Sequence, residues 1–483
     1  MKKHLAKYKS LSVQVRATLW FFICSFLQKG ISTITTPIFT RLLNTAEYGQ
    51  YNVFNSWLGI VTTIVTLRLS MGVYVQGLVK FEKDRHQFSS SLQGLTLVLC
   101  LAWMGIYLLL RTKINNLLDL TTIQVLAMLL MIWTTSVFEF WASEKRVTYS
   151  YRGLIILTLI VSLAKPTVGI IFVKLATDKV TARILGLALV ELIGYTSLFF
   201  IQMRRGKKFY SAKYWKYAVQ FNLPLIPHYL SLTVLSNSDR IMIKSMVGES
   251  ESGIYSLAYS LAMIMTLVNT ALSSTIGPWI YQKIKEKKVE DISKIAYITL
   301  SIIAAANIVL IAFAPEAVAI FAPKEYYDAI YCIPPVALSV FFMFCYDLFA
   351  KFEFYYEKTH YIMAASMIGA LVNIGLNYIF IKLCGYVAAA YTTLVCYIFF
   401  DIMHYVLMKK VCKEYLDGVK VYDIRIIAGM SVAFSALGFA YLATYRLDYV
   451  RYGLTIVIII FAIAKRHYIK EKVWEILTLK KQN

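Results

Sequence analysis

The sequence predicts an all-α integral membrane protein of about 14 transmembrane helices, arranged as two pseudo-symmetric six-helix lobes followed by two additional helices. Three observations predict that class. Of 483 residues, 59% are apolar and 16% charged, with a mean hydropathy of +0.61, whereas soluble proteins carry about 25% charged residues. The apolar residues come in runs of about twenty, enough to cross roughly 30 Å of hydrocarbon at about 1.5 Å per residue. The runs are also apolar on nearly every face, unlike membrane β-strands, which alternate over segments of about ten residues.

The first run, about residues 17 to 39, follows Lys2, Lys3, Lys7, Lys9 and Arg16 as a signal peptide would. It exceeds the roughly 7 to 15 residues of such a segment and meets no small-residue cleavage site, so it is expected to remain as the first helix. Runs from near Tyr51, Phe88, Leu117, Tyr151 and Ala182 complete a lobe over residues 1–212. Runs from near Tyr217, Gly253, Ile292, Ile330, Tyr361 and Tyr386 make a second over 213–415, and runs from Ile424 and Tyr449 fall in 416–483. Pro224 and Pro227 should interrupt the seventh helix, because each removes a backbone donor. The first fifteen residues, and the tail with Val473, Trp474, Ile476, Leu477 and Leu479 among lysines, have the pattern of interfacial amphipathic helices.

Lys and Arg exceed Asp and Glu by 50 to 27, a formal charge of +23. Sorted by alternate connections, one side holds about 35 basic residues and the other about 11, so both termini are expected to face the cytoplasm. That asymmetry, with anionic inner-leaflet lipid as its counterpart, explains the charge and leaves no nucleic-acid partner to invoke. The seven cysteines are scattered without a C-x-x-C pair, which suggests neither a disulfide framework nor a metal site. No P-loop and no H-E-x-x-H motif occurs, and the connections are too short for a catalytic domain. The chain therefore reads as a non-enzyme without a cofactor.

A weak internal repeat emerges at a shift of 204 residues: Glu47, Gly49, Tyr51 and Ser56 fall on Glu251, Gly253, Tyr255 and Ser260. A six-helix shift preserves orientation, as in parallel repeats about an axis along the membrane normal. Three stretches carry a resemblance: Pro37-Ile-Phe-Thr-Arg41 through Glu47-Tyr-Gly49-Gln-Tyr51; Ser238-Asp239-Arg240 followed by Gly253-Ile-Tyr255 to Tyr259; and Asn373 to Asn377 with Gly385 to Ala390. On these the chain resembles the bacterial polysaccharide repeat-unit flippases for O-antigen, capsule or exopolysaccharide, within the multidrug/oligosaccharidyl-lipid/polysaccharide exporter superfamily. The resemblance implies movement of undecaprenyl-diphosphate-linked oligosaccharide from the cytoplasmic to the periplasmic leaflet by alternating access in the bacterial inner membrane. H+ or Na+ coupling, a glycan polymerase as partner, and a monomer are the accompanying expectations. Fourteen helices differs from the twelve of many such flippases and is similar to the lipid II flippases.

Charged residues inside apolar runs are costly and therefore functional candidates. Lys29, Arg68, Lys165 and Arg240 are the basic ones, suited to an anionic diphosphate; Lys29 and Lys165 fall nearest mid-run. They are the expected substrate-binding residues, although Arg68 and Arg240 are equally able to snorkel to an end. Glu191 and Asp239 are the expected ion-coupling residues; a salt bridge from Glu191 to Lys165 would instead give it a structural role. Asn373 and Asn377, spaced i,i+4, and His228 and His404 are expected to serve packing rather than transport. The rival readings are a multidrug or metabolite cation antiporter on the same fold, which calls for paired carboxylates, and a membrane glycan polymerase or ligase, which calls for a large external loop.

Overall fold

Why a bundle forms follows from the backbone: in hydrocarbon every N–H and C=O must be paired within its own segment, and a helix does that locally. The computed structural model describes residues 12–467 and residue 471. The two amphipathic segments expected at the ends lie almost wholly outside the described residues. Among the described residues the regular structure is helical, and each of the fourteen apolar runs coincides with a helical stretch. Eleven stretches among the described residues are long and apolar enough to cross a membrane. The three others are Thr45–Thr66, which is rich in Thr and Asn; the proline-broken stretch from Ala212 to Met246; and Asp448–Ala464, which has 17 residues.

The chain forms two compact units, Met1–Ile241 and Met242–Asn483. The first holds α1 (Val13–Leu42), α2 (Thr45–Thr66), α3 (Gly72–Lys80), α4 (Arg85–Leu109), α5 (Arg111–Leu118), α6 (Thr122–Val147), α7 (Tyr151–Leu175), α8 (Lys179–Gly206), α9 (Ala212–Asn222) and most of α10 (Ile226–Met246). Helix α8 is its axis, packed against α4, α6 and α7, while α1 leans on α7. Close approach is needed where α4 passes the end of α8: a Cβ on Gly206 would sit 2.1 Å from the His86 carbonyl oxygen, so only glycine fits. A buried aromatic cluster fastens α3 to α4 and α6; Tyr74 meets Phe140 edge-on at 4.7 Å and donates to Ser89 Oγ at 2.7 Å.

Sequence signals explain the main breaks. Asn44 and Glu47 form a capping box that starts α2 sharply after α1. Pro224 lies within, and Pro227 just beyond, a tight turn of helix, Leu223–Leu225, between α9 and α10, the interruption expected of the seventh span.

The second unit holds α11 (Glu249–Ala262), α12 (Thr266–Lys285), α13 (Glu290–Ala312), α14 (Ala314–Phe321), α15 (Ile333–Tyr355), α16 (Thr359–Cys384), α17 (Ala388–Tyr415), α18 (Ile424–Ala443) and α19 (Asp448–Ala464). Helix α15 is buried along most of its length and packs most extensively on α17, with α11, α12, α13 and α18 around it. Asn373 and Asn377 spend their polarity on packing: Asn377 donates to Asn373 Oδ1 at 3.3 Å and accepts from Thr392 of α17. The last two helices pack into this unit, with Phe434 against Phe341 at 4.7 Å and Arg451 of α19 bidentate on Glu316 of α14 at 2.6 Å.

Candidate functional site

In the first unit α6, α7 and α8 bring a lysine, a glutamate and two threonines together at mid-helix. Lys165 follows fourteen residues after the start of α7, and Glu191 lies at the middle of α8. Lys165 Nζ donates to Glu191 Oε1 at 2.6 Å, while Glu191 Oε2 accepts from Thr134 at 3.1 Å and Thr135 at 2.9 Å on α6. The carboxylate is buried, and its lysine remains about a third exposed. The structure thus joins two of the expected site residues directly and places two hydroxyls beside them that the sequence reading did not single out. Both oxygens of Glu191 are satisfied.

The other expected residues stand apart from that pair. Lys29 is exposed on α1. Arg68 is not within an apolar helix: it lies just past the end of α2, in a turn where Leu67 and Arg68 have φ of 48° and 50°. Asn222 holds this left-handed turn by donating to both carbonyls, at 2.7 and 2.9 Å. From there Arg68 donates through Nε to Thr63 Oγ1 at 3.2 Å. Arg240 is half-buried on α10 and donates to the Ser236 carbonyl at 3.2 Å, one turn earlier; Asp239 beside it is buried.

Arg183, a fifth basic residue, was not read from the sequence. It is buried near the start of α8, its guanidinium 3.6 Å from the Phe39 ring centre and 3.5 Å from that of Tyr51. Lys179, one turn earlier, donates to the Leu42 carbonyl at 3.1 Å and approaches Glu47 at 3.6 Å. The stretch from Pro37 to Tyr51 therefore clasps α8 at the α1–α2 turn, a structural role for a motif that looked like a signature. The signal available was the spacing of Lys179 and Arg183, one turn apart and able to face one partner.

In the second unit Lys351 is also inside a helix. It is buried on α15 and donates to Asp347 at 2.8 Å and to Ser273 of α12 at 2.9 Å; Ser273 donates to Asp347 at 2.7 Å. Asp347 and Ser273 edge a recess of about 380 Å³, with Asn269, Thr270 and Tyr346 in its wall. Further along the same helix, the buried Glu353 meets His404 Nδ1 of α17 at 2.8 Å, so His404 is packed and paired.

Comparison with known proteins gives this geometry a family. Residues 15–284, more than half the chain, match the family described as polysaccharide biosynthesis protein, and residues 224–379 match the MatE family. A protein of the Lsg locus of Haemophilus influenzae is 27% identical over 210 residues, covering 41% of this chain and 51% of that protein; the chain thus spans about half of that relative's length. A membrane protein of the same organism is 22% identical over 371 residues, covering 74% of this chain and 87% of that one. Among solved structures, the lipid II flippase MurJ superposes with a TM-score of 0.70 at 15% identity, covering 94% of this chain and all of that one. A multidrug resistance MATE family transporter of the MOP superfamily gives 0.59 at 13% identity over 80% of this chain and 96% of that one. At those identities the structural likeness establishes the fold. On its sequence match over more than half its length, the chain belongs to the polysaccharide biosynthesis protein family.

Proposed function

We propose that the protein moves an undecaprenyl-diphosphate-linked oligosaccharide from the cytoplasmic to the outer leaflet by alternating access. The physical need is plain: each sugar hydroxyl taken unpaired into hydrocarbon costs about 4 to 8 kcal/mol, before the diphosphate charge is counted. The observation that supports the reading is the Lys165–Glu191 pair, an ammonium held at mid-helix by a carboxylate that also accepts from two threonine hydroxyls. An anionic head group and Glu191 compete for the same ammonium. Protonation of Glu191 frees Lys165 for the diphosphate, and loss of the proton returns Lys165 to Glu191 and expels the anion. One side-chain exchange thereby links ion and substrate. Lys29, Arg68 and Arg240 are proposed as further stations for the diphosphate, and Asp239 as a second ion-coupling carboxylate. The proposed alternating lobes are residues 1–212 and 213–415, with fourteen spans in all, 416–483 appended and both termini cytoplasmic.

Replacing Lys29 and Lys165 together with Ala is expected to abolish surface glycan while protein levels in the membrane hold; unchanged glycan removes them from the site. Glu191→Gln leaves Lys165 without its competing carboxylate, so flipping of a fluorescent lipid-linked oligosaccharide in proteoliposomes should lose its dependence on an imposed pH gradient. Retained dependence would place the coupling elsewhere. The cation-antiporter reading draws on Asp347 at the polar recess of the second unit, but Lys351 already neutralises that carboxylate. Uptake of an organic cation by the same proteoliposomes, with no movement of glycolipid, would favour it.

A further inference from the structure

A basic recess of the first unit is remote from the Lys165–Glu191 pair. It has a volume of about 590 Å³, within the roughly 300 to 1,000 Å³ of small-ligand sites. Four helix ends converge on it: the first turn of α1 brings Arg16, the last of α6 brings Lys145, the first of α7 brings Arg152, and the last of α8 brings Arg205. Lys165 lies thirteen residues beyond Arg152 along α7, roughly 20 Å away. The α6–α7 connection makes the convergence possible. Tyr149 takes a left-handed φ of 53°, and Ser150 N–H returns to the Lys145 carbonyl at 2.9 Å, so Lys145 and Arg152 border one hollow instead of diverging.

Two features distinguish this recess from a solvated basic rim. Among the described residues its lining includes no carboxylate; the nearby Glu144 is buried and turns to Gln202 at 3.4 Å and His86 at 3.7 Å. Its floor is apolar, formed by Trp141, Leu198 and Ile201, with Lys145 Nζ 5.8 Å from the Trp141 ring centre. Helices α7 and α8 then continue away from it with exposed Ile156, Ile160, Ile193 and Phe200, an apolar surface suited to acyl chains. A soluble anion would use the cations and leave the floor idle. An uncharged lipid would do the reverse.

The geometry points to a binding site for an anionic glycerophospholipid, phosphatidylglycerol, with its phosphate among Arg16, Arg152 and Arg205 and its chains along α7 and α8. The side so marked is the one proposed as cytoplasmic, where anionic lipid meets basic pockets between helices. The inference is independent of which substrate is flipped.

The test uses the full-length protein, stripped of lipid in a nonionic detergent and titrated with phosphatidylglycerol or phosphatidylcholine, with bound lipid counted by native mass spectrometry. The wild type should retain phosphatidylglycerol at least tenfold more tightly than phosphatidylcholine. Arg16→Gln/Arg152→Gln/Arg205→Gln should lose that preference, and the corresponding triple Lys variant, which keeps the charge, should retain it. An unchanged preference in the Gln variant overturns the site, as does loss in the Lys variant with an unaltered melting temperature. Displacement of the lipid by millimolar inorganic phosphate would make this a soluble-anion site. Displacement by equimolar undecaprenyl diphosphate would make it a vestibule for the substrate. Either result overturns the assignment to phospholipid.

Discussion

A guanidinium between two aromatic faces behaves unlike an ammonium. In Arg183 the plane lies 3.6 Å from one ring centre and 3.5 Å from another, an arrangement a lysine cannot reproduce on both sides. Arg183→Lys is therefore expected to cost about 1 to 3 kcal/mol, read as a lower midpoint in SDS unfolding, with surface glycan reduced only in proportion to folded protein. Individual charges were unevenly legible in the sequence. Lys165 and Glu191 stood out because each interrupts a long apolar run, and their pairing was foreseeable from the cost of leaving either alone. Lys351 did not, because Glu353, Glu357 and Lys358 follow it closely and the group resembles a solvated connection; only its i,i+4 spacing from Asp347 hinted at a pair. Arg183 was hidden at the head of its run, where a basic residue ordinarily snorkels.

Helices are held to one another here by very small clearances. A Cβ on Gly369 of α16 would stand 1.8 Å from Phe400 Cε2 of α17. Gly369→Ala should destabilise by about 1 to 3 kcal/mol through overpacking, and Phe400→Leu in the same chain should recover part of it. Unfolding midpoints of the two single variants and the double variant make the check. At the α2–α3 turn, Asn222→Ala leaves two carbonyls without their donor and should cost about 1 to 3 kcal/mol. Leu67→Gly, which relieves a left-handed residue, should be neutral or stabilising by up to about 1 kcal/mol. Most elements were legible because a spanning helix must be long and apolar, and Pro224 and Pro227 announced their break. The break at Met263–Met265 carries neither proline nor glycine, and nothing local in its sequence gives it away.

On the scale of the whole molecule, each compact unit has its own long-range fastenings. In the second unit Arg451 ties the final helix to α14 through Glu316 and to the Ala312 carbonyl at 3.1 Å, assisted by Tyr445 donating to the Ile311 carbonyl at 2.7 Å. Arg451→Ala should cost about 3 kcal/mol, the lower end for a broken buried pair because Glu316 is partly exposed. Limited proteolysis should then open the chain at the short connection before α19, a cut the wild type resists. Family and architecture were accessible from the sequence because they rest on run lengths and a few local motifs. The converging helix ends around Arg16 and Arg205 were not, since residues so far apart in the chain share no local pattern.

The turn that presents Arg68 also imposes an order on biosynthesis. Its carbonyls are claimed by Asn222, which follows Leu67 by 155 residues. At a synthesis rate of about 5 to 20 residues per second, the ribosome supplies that asparagine on the order of ten seconds or more after the turn has emerged. In the interval the nascent turn must borrow its donors from water or from the insertion machinery, and the first unit gains its final shape only when the seventh span arrives.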